Sequence, residues 1–499
     1  MSTAEMISPQ AQQSQTQTQT VIPRKAIYKT RGSTSDVIEK KELISYPATA
    51  LSQNLTIGEN DTNKKIQFLL SGDCFVDGLN SYITVGIKTN KYTAYLSSDI
   101  SSIVKRLVIS LPSNSNQILE DVQNYNQLQS MLHVINGSEQ SFEQNWNSGL
   151  NSLSSFNKSN GAPTARRFLN VHEEGEFRTM TFQLNLSGVL SSDNYLPLML
   201  LNGLKIEIYL ASSVEALHYD PANEKDWDTV FKSVDAPFGK KYDTMTAEEK
   251  TALHEGLSAH GERPDPPLQN EALTYTISQP CFNAMTVWCS NAYTQSLVKA
   301  SETQQGVLLN YDTWRYNNIV PDSQYCNFAF PDSLQHIKTA YMGTHRRTRE
   351  SSQHFNYVCN ALKSFTFRIG SRIYNQVSNE PALAMTNLLL GVGKLGLYSQ
   401  NALGYSAYPR SKNIHVFDFQ TCREESLKAN SGINSTNGRH LRLELNWRAG
   451  ESAVIKSPTD NSVLTTLNNH VDYKEAHLDV WLEHSKFLRI NSAGILVIE

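Results

Sequence analysis

The sequence has no strong charge of either sign. Lys and Arg number 44 against 48 Asp and Glu, a formal net charge of −4, and charged residues are only 18% of the chain. No global field therefore draws it to nucleic acid or to an anionic membrane, and any such contact has to be local. Paired cysteines are missing too. Cys74, Cys281, Cys289, Cys326, Cys359 and Cys422 are scattered, with no C-x-x-C pair and no regular framework, which suits free thiols in a reducing compartment. No apolar run approaches the roughly 18 residues of a membrane helix, which excludes an α-helical span. The opening MSTAEMISPQAQQSQTQTQT lacks the charged start and apolar centre of a signal peptide. No secretory route is expected, so the sequons at Asn54 and Asn185 are expected to carry no glycan.

What is present is β structure. Segments such as KKIQFLLSG, SYITVGIKT, VKRLVISLP, RTMTFQLNL, LKIEIYLAS, HLRLELNWR and HLDVWLEHSKF are short, rich in β-branched and aromatic residues, and separated by Gly, Asn, Asp and Ser. Many short strands with turn chemistry between them indicate a sandwich or barrel rather than a parallel α/β sheet. At 499 residues the chain exceeds what one core usually supports, so two or more domains, or one very large sandwich, are expected.

The N-terminal twenty or so residues, rich in Gln, Thr and Ser, are read as a disordered arm. Arg24, Lys25, Lys29 and Arg31 come next in one short stretch. They suit either a solvated linker or an arm that docks on a neighbouring chain or an acidic inner surface.

Helical periodicity occurs in two places. In NQILEDVQNYNQLQSMLHVI, Ile118, Val122, Tyr125, Leu128, Leu132 and Ile135 step by threes and fours, and Ser113 and Asn114 stand in position to cap a helix over 116–135. EPALAMTNLLLG offers a second, with Pro381 in its first turn and Gly391 as its stop.

The chain repeats itself. VKRLVISLP (104–112) and LKSFTFRIG (362–370) share an order of residue types: Leu107, Ile109 and Leu111 on one face behind Lys105, and Phe365, Phe367 and Ile369 on one face behind Lys363. Each strand then leads to a helical pattern. LTYTISQPCF (273–282) and LDVWLEHSKF (478–487) match in the same way near the end of each half. The spacing is 273 − 104 = 169 residues in the first half and 478 − 362 = 116 in the second, so the first carries 169 − 116 = 53 more. A polar stretch of matching size, rich in charge, Gly and Pro, occupies 213–270, and another polar loop begins near 136. Both read as outward decorations of a β scaffold, where loop length costs little.

Catalytic motifs fail on context. Gly391, Gly393 and Gly396 satisfy G-x-G-x-x-G, with Asp418 beyond, but a helical run precedes them and Gly404 and Pro409 break the segment on their C-terminal side; a dinucleotide site needs a strand before and a helix after. His254, Glu255 and His260 put the histidines six apart, whereas a zinc helix needs four, so an exposed loop is expected. His345, Arg346, Arg347 and Arg349 form the densest basic cluster; without interleaved aromatics they read as a subunit contact or a solvated face rather than a nucleic-acid site. The pairs Glu173-Glu174 and Glu248-Glu249 read as solvated surface, and Trp288, Trp314, Trp447 and Trp481 as core or interface. No catalytic, cofactor-binding or metal-binding residue is assigned, no cofactor is expected, and an enzyme is not expected.

The duplicated strand-and-helix units, the polar arm, SFTFRIGSRIYNQ leading to a short helix, and the terminal FLRINSAGILVIE together resemble double jelly-roll major capsid proteins, most closely those of polinton-like viruses and virophages, in the lineage of adenovirus and the large nucleocytoplasmic DNA viruses. The resemblance covers nearly the whole chain from about residue 45, is most specific at 362–390, and weakens in the wording of many strands and in the large first-half insertion. It implies an all-β fold of two tandem eight-stranded jelly rolls with short helices and large surface loops. The boundaries it implies are an N-terminal arm over 1–44, a first roll over 45–295 with insertions near 136–166 and 213–270, and a second roll over 296–499. It further implies a hexon-like homotrimer, a pseudo-hexameric capsomer tiling an icosahedral shell, with penton and minor capsid proteins as partners. The arm would face an inner membrane or the genome, without specific nucleic-acid recognition. Assembly inside the host cell, in cytoplasm or nucleus, would place the protein in the virion capsid. The competing class is a glycan-binding or glycan-cleaving β-sandwich, which wants exposed aromatics and paired acids in one cleft; a minor capsid or vertex protein ranks below both because single-roll vertex proteins are shorter and lack the duplication.

Overall fold

The alternation of apolar and polar residues resolves into two units of the same design. The computed structural model describes residues 37–49, 54–90, 94–112, 117–136, 177–192, 194–218, 272–346, 357, 362–374, 377–378, 384, 386–389, 414–419, 432–435, 440–447, 454–456, 463–466 and 473–498. The first unit contains β1 (Ile38–Pro47), β2 (Lys65–Leu70), β3 (Phe75–Thr89), β4 (Val104–Leu111), β5 (Gln117–Gln123), β6 (Arg178–Phe182), β7 (Leu204–Leu210) and β8 (Tyr275–Cys289). They pair antiparallel in two sheets, in the orders β1-β8-β3-β6 and β2-β7-β4-β5. The second contains β9 (Val307–Ile319), β10 (Tyr325–Ala329), β11 (Ile337–Arg346), β12 (Leu362–Ile369), β13 (Arg372–Ile373), β14 (Ile414–Asp418), β15 (Leu441–Trp447) and β16 (Ala476–Asn491). Its orders are β9-β16-β11-β14 and β10-β15-β12-β13, the same arrangement strand for strand. Gly494–Ile498, here β17, adds an edge to β16. Two tandem eight-stranded jelly rolls are therefore present, as expected.

The repeated segments fall on equivalent strands. VKRLVISL is β4 and LKSFTFRI is β12, each third in its sheet and each paired with the next strand in the chain. The matched pair 273–282 and 478–487 lies on β8 and β16, each second in its sheet. Period-two burial explains why these residues make strands: in β7, Leu204, Ile206, Ile208 and Leu210 are buried, and in β15, Leu441, Leu443, Leu445 and Trp447 are buried. Pro280 is accommodated in β8 because the ladder to β3 breaks between Ser278 and Cys281, where Gln279 takes a φ of 45°. The second core is the more aromatic, with Phe367 in ring contact with Phe365, Phe417 and Phe419 at 5.1–6.0 Å. Residues 38–499 form one compact unit, with α2 (Asn291–Ser301) connecting β8 to β9.

Three expectations change. The helix expected over 116–135 is half strand: residues 117–123 are β5, and α1 spans only Tyr125–Asn136. Val122 and Tyr125 fit a helical period, but β5 is held to β4 by a full ladder and by the paired Arg106–Asp121 ion pair, at 2.7 Å for both contacts. Asn124, at φ 49°, then turns strand into helix. The insertion expected to start at 213 begins later, because Ser213–Ala216 is a buried helical turn and Leu217–His218 pairs with Tyr95–Leu96. The hydroxyl of Ser213 donates to the carbonyl of Leu273 at 2.6 Å, and Glu215 pairs with Lys105. Residues 38–44, expected in the arm, belong to β1 and pair with β8.

In the second expected helix, residues 384 and 386–389 are helical, with Ala384, Leu388 and Leu389 buried. Pro381, Gly391, Ser113, Asn114, the arm with Arg24, Lys25, Lys29 and Arg31, and the loops over 137–176 and 219–271 lie outside the described residues.

Candidate functional site

One group of buried polar side chains lies where the two rolls meet. Glu120, on β5, has no solvent exposure. Its carboxylate accepts from the hydroxyl of Ser187 at 2.6 Å and the backbone N–H of Gly188 at 2.8 Å, with Thr313 of β9 beside it from the second roll. Burial pushes this carboxyl above its ordinary range, and the hydrogen bonds oppose that shift only in part. Alongside, the hydroxyl of Tyr311 donates to the carbonyl of Leu119 at 2.8 Å. Gly188 is required here for space: a Cβ at this position would stand 1.6 Å from the carbonyl oxygen of Asp312.

A second group of contacts joins β5 and α1 to the outer face of β16 and β11. The indole Nε1 of Trp481 donates to the carbonyl of Gln123 at 3.3 Å, and the ring packs on Tyr316 with centroids 5.3 Å apart. Tyr357 donates to the carbonyl of Gln127 at 3.2 Å, and its ring lies so close to Gly343 that an added Cβ would meet it at 2.3 Å. Beside Trp481, Asp479 is 1% exposed and accepts from Tyr316, Asn318 and the Nε2 of His345, each at 2.8 Å. A buried carboxylate with three partners specifies geometry more than it adds stability.

Further along the same face, the Lys338 ammonium holds both oxygens of Asp312 at 2.7 Å, and Ser485 donates to Asp312 at 2.8 Å. Glu483 stands near this pair. Burial, reinforced by Asp312 and Asp418 and opposed by Lys338, pushes its carboxyl up to about 7. In the first roll, burial lowers the His133 imidazole, but Asp99 at 3.4 Å more than offsets it and the net shift is upward.

Several sequence candidates are now placed. His345 is not part of a solvated basic face: it is 8% exposed and paired with Asp479, because its position in β11 points it into the seam. Arg347 and Arg349 lie outside the described residues, as do Gly391, Gly393, Gly396, His254, Glu255, His260, Glu173, Glu174, Glu248 and Glu249. Asp418 ends β14 opposite Thr339. Trp447 and Trp481 are 2% and 0% exposed, so neither offers a platform to a ligand, while Trp288 and Trp314 are half-buried. Cys74, Cys281, Cys289 and Cys326 are free thiols. Among the described residues no group of His, Cys, Asp and Glu could hold a metal ion, and no helix is long and apolar enough to cross a membrane. Glu120 and Asp479 were missed. Their one signal is a carboxylate set inside an apolar strand, as in ILEDV and HLDVWL.

No protein-family model matches the chain, and no curated protein does. Solved structures match in fold. The Faustovirus major capsid protein superposes with a TM-score of 0.54 at 9% identity, covering 94% of this chain and 93% of that one. The chain is a double jelly roll. The same double jelly roll is similar to PBCV-1 VP54 fitted into a reconstruction of the virophage Sputnik, with a TM-score of 0.52, 8% identity and coverage of 94% and 98%. It is similar as well to the Sputnik virophage structure, with a TM-score of 0.51, 9% identity and coverage of 100% and 93%. At such identities the likeness concerns the fold, and the double jelly roll's own residues have to carry its function.

Proposed function

We propose that this chain is a viral major capsid protein, with a structural and not an enzymatic role, whose trimers form pseudo-hexameric capsomers of an icosahedral shell. The observation that carries the reading is the duplication: two rolls of identical strand order, locked by a polar and aromatic seam within one compact unit. Two similar wedges per chain let three chains present six, so that closed threefold symmetry fills a six-fold lattice position. The fold likeness to the Faustovirus major capsid protein supports the same reading. In it, the first roll, starting with β1 at Ile38, and the second roll are the two wedges, the N-terminal arm reaches inward to a membrane or the genome, and penton and minor capsid proteins complete the shell of the virion, built inside the host cell.

Light scattering of the purified protein, with negative-stain images of the same peak, tests this. A trimer of hexagonal outline is expected. A stable monomer at every concentration overturns the reading.

A further inference from the structure

Lysine side chains rarely leave solvent, and among the described residues Lys338 is the one lysine that is buried, at 4% exposure. A β-bulge puts it there. Ile337 and Ala340 both belong to the second core, and the ladder to β16 runs from Ile337 opposite His484 to Thr339 opposite Glu483, so Lys338 is the extra residue that the pairing leaves out. Its ammonium meets both oxygens of Asp312, on β9, at 2.7 Å. Two such contacts set Nζ roughly 3 Å from the carboxyl carbon, the separation of a near-attack pair.

Both partners are held in place by the fold. Asp312 accepts from the Ser485 hydroxyl at 2.8 Å, and its backbone lies so close to Gly188 of the first roll that a Cβ there would stand 1.6 Å from its carbonyl oxygen. The third group is the half-buried Glu483 on β16, the strand between β9 and β11. It pairs with Trp314 on one side and Thr339 on the other, so Asp312, two residues before Trp314, is its diagonal neighbour and Lys338 adjoins its partner. Burial, reinforced by Asp312 and opposed by Lys338, pushes the Glu483 carboxyl up to about 7. Near neutral pH it can therefore both take and return a proton.

This is more than a salt bridge requires. A buried ammonium in an ion pair gives up solvation that the attraction barely restores, whereas an amide joining the same two side chains carries no charge. We infer that Lys338 and Asp312 condense to an isopeptide bond between Nζ and the carboxyl carbon, with Glu483 as the proton carrier. The ammonium of Lys338 gives one proton to the Asp312 carboxylate, and the resulting amine attacks the carboxyl carbon as that group turns about its broad χ2 torsion. Glu483 then accepts a proton from the new C–N nitrogen and returns it to a hydroxyl of the tetrahedral adduct. The C–O bond breaks and one water leaves, so the step needs no oxidant or other reactant. The Asp312 side chain is 40% exposed, which gives that water a way out. The product ties β9 to β11 across β16 and leaves burial, the first cause of the Glu483 shift, in place. The inference is independent of the capsid reading.

Mass spectrometry of the denatured full chain, after incubation at pH 7, tests it. The parent is expected to be lighter than its sequence by one water, and trypsin is expected to release a branched peptide that joins the segment of Asp312 to that of Lys338. Lys338→Arg, which keeps the charge, and Glu483→Gln, which keeps the size but cannot carry the proton, are expected at full sequence mass. A parent at full sequence mass overturns the inference without recourse to any variant. A water lost equally from Lys338→Arg places the loss elsewhere in the chain and overturns it as well. A branched peptide that forms as completely in Glu483→Gln as in the parent overturns the role given to Glu483.

Discussion

Trp481 and Gln123, 358 residues apart in sequence, are joined by an indole-to-carbonyl hydrogen bond of 3.3 Å that ties β16 of the second roll to the end of β5 in the first. The indole is fully buried and in contact with Tyr316, so it contributes apolar burial as well as a directed bond. Trp481→Phe keeps much of the apolar contact but leaves the carbonyl of Gln123 without this donor, at a cost of about 1–2 kcal/mol. Trp481→Ala removes both, at a cost of about 3–5 kcal/mol. Urea unfolding of the two variants checks the order, and equal losses would show that packing alone matters.

Glu120 ties β5 to the turn at 187–189 and lies against Thr313 of β9. Glu120→Ala leaves the Ser187 hydroxyl and the Gly188 N–H without this acceptor in a dry site, which costs on the order of 2–3 kcal/mol. Glu120→Gln retains an acceptor and is expected to lose less. The urea midpoints of the pair give the comparison, and a Gln variant as damaged as Ala would contradict it.

Gly188 sets how closely the rolls approach. Gly188→Ala puts a methyl group against the carbonyl oxygen of Asp312, backbone against backbone, where nothing flexible can yield. An overpacking loss of about 1–3 kcal/mol is expected. The thermal midpoint reads it, and an unchanged midpoint would mean that the seam opens freely.

The double roll was legible because it is written in period two. Leu107, Ile109 and Leu111, and again Phe365, Phe367 and Ile369, mark one face each, and the order of such strands repeats. The helix over 116–135 was half misread because Val122, Tyr125 and Leu128, all buried, keep a helical spacing across a boundary at Asn124 that only its φ of 49° reveals. The seam was not legible at all. Glu120, Ser187 and Thr313 are individually ordinary, and their meeting depends on a turn and two strands brought together by the fold.

The limits of the large insertion can be tested by excision. Replacing residues 219–271 with a short Gly/Ser linker keeps the Ser213 bond to Leu273, the Glu215 contacts with Lys105 and Asn126, and the pairing of Leu217–His218. The thermal midpoint is expected to stay nearly unchanged. Starting the excision at 213 removes these buried groups and is expected to lower it by several degrees. Equal effects of the two excisions would contradict the boundary at 218.

Two groups of the second roll, half-buried Glu483 and buried His415, bend stability with pH in opposite directions. Glu483 is raised from an ordinary 4.5 to about 7 by burial among Asp312 and Asp418, against Lys338 and a hydrogen bond from Thr339. The folded state therefore holds a proton that the unfolded chain has released, so stability is full below about pH 4.5 and falls as pH rises through 7. His415, on β14 and packed against Phe365, is lowered by burial from 6.5 to about 4. Its contribution is full above about pH 6.5 and is lost as pH falls through 4, because the unfolded chain takes up the proton first. Glu483→Gln removes the alkaline loss, worth on the order of 2–3 kcal/mol at pH 8 and little at pH 4. His415→Phe flattens the acid limb and leaves the alkaline limb in place. Urea unfolding of the parent and both variants from pH 4 to 8 separates the two. A Glu483→Gln variant that gains as much at pH 4 as at pH 8 would show that its effect is packing and not titration.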